Sequence, residues 1–198
     1  MRDIEKRIKK AISLFEKGKN EKALEIFKKI IEEDPTNIDG YTGMAMVHGK
    51  LSEFNAAEEY LKKATEVRPD ISLTWYNLGS FYVAYRQFDK AFSCFQKALE
   101  INPNDSDNVA GMGSALYGLK RYEEALNYFD RAIALDNENY IAALGKGMVL
   151  HEMNRYEEAI EYYSQVLEIN PDNVTAKTLR TMAMMRMTEA GPECHSEN

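Results

Sequence analysis

Few residues of this chain stand at spacings that could do chemistry. His151-Glu152 opens the zinc-protease pattern H-E-x-x-H, in which two histidines one helical turn apart bind the metal and the glutamate acts as base. The fifth position is Arg155, so the second ligand is missing. His48 has no second metal-type side chain at a suitable spacing and reads as a core or boundary residue. Cys94 and Cys194 are the only cysteines. Two cysteines cannot build a disulfide framework, which fits a reducing, cytoplasmic setting. Cys94 falls in a mid-helix slot that elsewhere holds Tyr60, Tyr128 and Tyr162, the place of a partly buried structural thiol. Cys194-His195 is too small a set for a metal site. No nucleophile–base pair, metal cluster or phosphate loop is visible. The chain therefore reads as a non-enzyme, with no catalytic residue, cofactor or metal.

Composition points the same way. The 198 residues carry a net charge of −7, against nucleic acid or an anionic membrane as main partner. Hydrophobic residues make up 44% and charged residues 29%, as in soluble folded proteins. The stretch MRDIEKRIKKAISLF has no apolar run long enough for a signal peptide or membrane span.

The elements that position these residues follow a period of 34. Residues 72–105 carry Trp75, Leu78, Gly79, Tyr82, Ala91, Phe95, Ala98 and Pro103. The pattern recurs over 4–37, 38–71, 106–139 and 140–173, for example as Tyr41, Ala45, Ala57, Leu61 and Pro69, or as Gly113, Ala125, Phe129 and Ala132. No insertion interrupts it, so each unit should stack on the last with the same rotation. Each unit reads as helix A over its first 14 positions and helix B over positions 16 to 30, with turn-prone connectors. Gly79 and Ala91 mark the close approach of the two helices, and Trp75, Tyr82 and Phe95 fill the space between them. Asn137 stands where the other units close with proline and predicts the same turn through left-handed geometry.

Charges depart from the pattern at both ends. Arg7 and Lys10 replace the aromatic and leucine of the first unit, as suits a face no earlier unit covers; the alternative for Arg2, Lys6, Arg7, Lys9 and Lys10 is a patch for an acidic partner. Lys146 takes the slot of Leu78, weakening that unit or exposing a charge. Residues 174–188 form one further helix with Lys177 and Arg180 in apolar slots. Its Met182, Met184, Met185 and Met187 read as adaptable packing against the fifth unit, or alternatively as an adhesive surface. Residues 189–198 are polar and read as a disordered tail.

The order W-x2-L-G-x2-Y, A-x3-F, Ala, Pro on a period of 34 resembles the tetratricopeptide repeat. The resemblance implies an all-α fold, a right-handed α–α superhelix or solenoid of five repeats plus a C-terminal capping helix. It implies a non-catalytic protein-interaction scaffold whose A helices line a concave groove. Positions 2, 5, 9, 12 and 13 of helix A then face a ligand. In this chain they include Thr42, Met46, Leu73, Tyr76, Ser80, Val83, Ala110, Ser114, Tyr117, Ile141, Leu144, Met148 and His151. The charged members are Asp39, Lys50, Asp107 and Glu152, so the groove suits an apolar or amphipathic peptide segment of a protein partner. The carboxylate clamp of the family's chaperone adaptors has no counterpart: its positions hold Tyr76, Ser80 and Gly111, or Ile8, Ile12 and Gly43. The alternative expectation is a homo-oligomer, a self-associating array that uses the groove or the methionine-rich helix.

Overall fold

The computed structural model describes residues 2–190. Among them are eleven helices: α1 (Arg2–Glu16), α2 (Asn20–Glu33), α3 (Ile38–Lys50), α4 (Phe54–Val67), α5 (Ser72–Ala84), α6 (Phe88–Ile101), α7 (Ser106–Gly118), α8 (Tyr122–Leu135), α9 (Tyr140–Glu152), α10 (Tyr156–Ile169) and α11 (Val174–Ala190). Odd-numbered helices are the A helices and even-numbered ones to α10 the B helices. Positions are counted from Ile4, Ile38, Ser72, Ser106, Tyr140 and Val174.

One turn joins A to B in every pair. Position 15 is left-handed: Gly18 at φ 72°, Ser52 at 62°, Arg86 at 56°, Lys120 at 60° and Asn154 at 60°. The Ser52 N–H donates to the Gly49 carbonyl (3.0 Å) and the Glu53 N–H to the His48 carbonyl (2.9 Å), and the other four turns repeat this pair of bonds. These two bonds satisfy carbonyls that the helix end would otherwise leave open. B helices end differently, on an extended residue such as Asp136 at φ −150°. The Asn139 N–H then closes the turn on the Asp136 carbonyl (3.2 Å), as Asn37 does on Asp34 (3.0 Å). The turn expected at Asn137 forms, but the left-handed residues among those described all lie in the A–B turns, because an extended cap already reverses the chain.

A helices are capped from position 34 of the preceding unit. Asn37 accepts from the Gly40 N–H (3.0 Å), Asp105 from Asn108 (2.9 Å), Asn139 from Ala142 (2.9 Å) and Asn173 from Ala176 (2.9 Å). Ile71 offers no such acceptor to α5.

Small residues and rings build the core. Position 20 is Ala23, Ala57, Ala91, Ala125 and Ala159, all buried. Position 24 of the B helix inserts a large side chain between two A helices. A Cβ on Gly79 would lie 2.9 Å from Phe95 Cζ, and one on Gly111 would press closer still, on Phe95 Cε1. Phe129 is held the same way by Gly113 and Gly145. The glycine at Gly79 thus makes room for a ring rather than for a helix axis. Tyr82 and Phe95 are buried as expected, whereas Trp75 is half-buried. Its indole N–H donates to the Pro69 carbonyl (3.0 Å), and the Tyr41 hydroxyl makes the equivalent bond to Pro35 (3.1 Å).

Neighbouring A helices pack together as α1 on α3, α5 on α7 and α7 on α9, where position 6 of the later helix is Gly43, Gly111 or Gly145, and more weakly as α9 on α11, where it is Leu179. Position 6 of α5 is Asn77, and α3 and α5 have no comparable contact. The stack is therefore less regular than an unbroken period predicts. No two B helices pack comparably among the described residues, so the chain curves with its A helices on the inner side.

The charged departures find partners. Arg7 pairs with Glu33 inside the first unit (2.5 Å). Lys146 pairs with Asp130 and lies over the Tyr162 ring (4.5 Å). Burial opposes its charge, but Asp130 and Tyr162 outweigh that and hold the ammonium above its ordinary range. Burial pushes the Cys94 thiol up to about 11, as befits a structural residue. His48 stacks on Tyr60 (5.3 Å) and its Nδ1 meets a Glu53 carboxylate oxygen at 2.5 Å, a boundary position.

Helix α11 packs through Ala176 and Ala183, both buried. Met182, Met184, Met185 and Met187 face outward, contrary to the expected packing against the fifth unit, because alanines already fill the contact. The helix runs to Ala190, past the expected end at 188, so Glu189 and Ala190 are helical. The rest of the expected tail, with Cys194 and His195, lies outside the described residues.

Candidate interaction groove

The inner face is built from the A helices, and the sequence-predicted residues can be placed on it one by one. Leu73 is 50% exposed and Met46 37%. Thr42, Tyr76, Ser80, Val83, Ser114, Tyr117, Ile141, Leu144, Met148 and His151 are partly exposed. Ala110 is fully buried, because α5, α7 and α9 close together around Gly111 and Gly145. It is removed from the groove. Leu144 and Met148 pack partly on the Tyr163 core cluster.

The polar members spend most of their hydrogen bonds locally. The Thr42 hydroxyl donates to the Ile38 carbonyl (2.8 Å) and the Ser114 hydroxyl to Ala110 (3.0 Å). Tyr76 stands edge-on to Phe95, ring centroids 5.9 Å apart. Burial, then the Asp107 carboxylate, raises its hydroxyl above the ordinary tyrosine range. Burial and Glu152 do the same for Tyr117, whose ring lies 6.1 Å from Tyr122. Both phenols stay neutral and able to donate at physiological pH. Lys50 donates to the Phe15 carbonyl (3.1 Å) and covers that ring (4.4 Å).

The face extends further than the sequence reading took it. Positions 9 and 12 of α11 are Met182 and Met185, 47% and 59% exposed. Counting one more period would have found them. Tyr163 is a second omission. It is fully buried at position 24, where a ring is expected, but its hydroxyl has no hydrogen-bond partner. The tyrosine in a phenylalanine slot was the available signal.

Chemically, this face offers apolar and aromatic contact, with hydroxyls at its margin. Among the described residues no group of three metal-ligating side chains converges, and no helix is long and apolar enough to cross a membrane.

A stack of paired helices with one inner face lined by every first helix is an α–α solenoid, a scaffold architecture for protein–protein interaction. Three family models, each described as a tetratricopeptide repeat, match residues 14–78, 72–105 and 111–174, and the chain belongs to the tetratricopeptide repeat family. Solved structures agree on the fold. A thermophilic tetratricopeptide-repeat protein of Thermus thermophilus superposes with a TM-score of 0.77 at 20% identity, over 92% of this chain and 99% of that one. PilF of Pseudomonas aeruginosa gives 0.74 at 18% identity, over 96% and 92%. YrrB, a protein of this kind with an unusual peptide-binding site, gives 0.62 at 24% identity, over 88% and 90%. No curated protein gives a significant sequence match.

Proposed function

We propose that this protein is a non-catalytic scaffold that holds an apolar or amphipathic peptide segment of a partner protein against the inner face of its A helices. The observation that carries this reading is the exposure of Met46 and Leu73 beside the half-exposed Tyr76, Val83, Tyr117, Ile141 and Met148 on that face. Exposed apolar side chains grouped on one surface mark interaction sites more often than scattered ones do. Small residues between them, such as Ser80 and Ser114, leave room for the partner's side chains. The peptide-binding site of YrrB, a neighbour in fold, is in keeping with this.

The test is retention of partners from lysate by the wild type beside a Met46→Arg, Leu73→Arg double variant. Both residues are exposed, so the variant keeps its helical circular dichroism. A polypeptide held by the wild type and lost by the variant is the expected result. Equal retention of every partner contradicts the reading.

A second reading has its own observation. Val174, Met184 and Met187 are exposed on the side of α11 where a further helix would stack. Self-association through that end predicts a mass that rises with concentration and returns to the monomer in Met184→Lys.

A further inference from the structure

The inner face is apolar at its centre, and the charges at its margins are mostly negative. Positions 2, 12 and 13 hold five carboxylates (Glu5, Glu16, Asp39, Asp107 and Glu152) against two cations, Lys50 and Arg186. Both cations are engaged within the chain: Lys50 with the Phe15 carbonyl and ring, Arg186 with Glu189 (3.3 Å). Glu5, Glu16, Asp39 and Glu152 are exposed and stand outside every ion pair of the described residues. A ligand on this face meets a net negative charge.

A second observation falls at the Glu152 end. Three buried side-chain polar atoms of the described residues lack a hydrogen-bond partner, and two are here: His151 Nδ1 and the Tyr163 hydroxyl. Burial first, and then Tyr117 and Glu152, raise the Tyr163 hydroxyl above the ordinary tyrosine range. An orphan hydroxyl thus stands where Phe27, Phe95 and Phe129 serve three of the other units, which makes this end of the array more polar than they are.

We infer that the groove takes a basic amphipathic segment, with a lysine or arginine of the partner seated against Glu152 and Tyr117 and its apolar side on Leu144 and Met148. The ammonium or guanidinium meets the Glu152 carboxylate, and its N–H groups donate to the Tyr117 hydroxyl oxygen. Asp107, which accepts from Asn139 Nδ2 (3.0 Å), and Asp39 extend the same preference toward the other end of the face. The inference rests on the groove reading above.

Two labelled helical peptides of equal length test it, one of leucine, lysine and glutamine, the other with glutamate in place of lysine. Binding is read by fluorescence anisotropy. The lysine peptide is expected to bind at least about tenfold tighter at low salt, with the gap narrowing as salt is added. Glu152→Gln should lower that affinity about three- to tenfold and leave the glutamate peptide unmoved or improved. Equal binding of both peptides overturns the charge preference and leaves the groove standing. Binding of neither overturns the groove with it. A concentration-dependent mass that Glu152→Gln abolishes places a second copy on the face and overturns the proposal.

Discussion

Phe95 sits between Gly79 and Gly111, and the fit leaves no space for a methyl group. A Cβ on Gly111 would overlap the ring and must displace a side chain that is 1% exposed, so Gly111→Ala should cost about 2 kcal/mol. Gly49 has nothing within 4 Å of a built Cβ, and Gly49→Ala should instead add about 0.5–1 kcal/mol through helix propensity. Urea denaturation of the two variants reads opposite signs from the same substitution. An unchanged midpoint for Gly111→Ala would mean that the ring is not clamped. Gly79 was legible from the repeat pattern. Gly111 was not, because its meaning lies in a ring 16 residues earlier. The pairing repeats as Phe27 with Gly43 and Phe129 with Gly145, and lapses together where Leu61 precedes Asn77. Lys146 was illegible for a similar reason: Asp130, which makes the charge tolerable, belongs to the preceding unit.

The helices themselves were plain in the sequence, since alanines, rings and turn residues return on one period. Their ends were less so. Arg86 and Lys120 carry no mark of the left-handed conformation they adopt, which the two turn hydrogen bonds impose on whatever stands at position 15. The caps at Asn37, Asp105, Asn139 and Asn173 use residue types whose side chains accept from a helix N-terminus. Helix α5 is the exception, because Ile71 has no side-chain acceptor and the Thr74 N–H turns to the Ile71 carbonyl (3.2 Å). Ile71→Asn should place an oxygen where Asn37 and Asn139 hold theirs, and add about 1 kcal/mol. Thermal unfolding followed by circular dichroism measures it. A lower melting temperature would show that the half-buried isoleucine side chain contributes more by packing than a cap can.

At the scale of the molecule, stacking turns a local repeat into a surface. Each unit buries one flank on its neighbour, and the A helices crowd together while the B helices do not, so the inner face exists only in the assembled array. Its composition could be read by counting positions, but its accessibility could not. Ala110 is lost to burial where two A helices close, and Met182 and Met185 are gained from the last helix. The methionines make this face observable. Of the ten in the chain, Met46, Met148, Met182 and Met185 lie on the inner face, Met44 and Met112 are buried, and Met184 and Met187 point away from it. Titrating the lysine-containing amphipathic peptide into protein labelled with 13C at the methionine methyls therefore tests the peptide groove most directly. Shifts at Met46, Met148, Met182 and Met185, with Met44, Met112, Met184 and Met187 still, are the predicted result. Shifts confined to Met184 and Met187, with Met46 and Met148 unmoved, would contradict it.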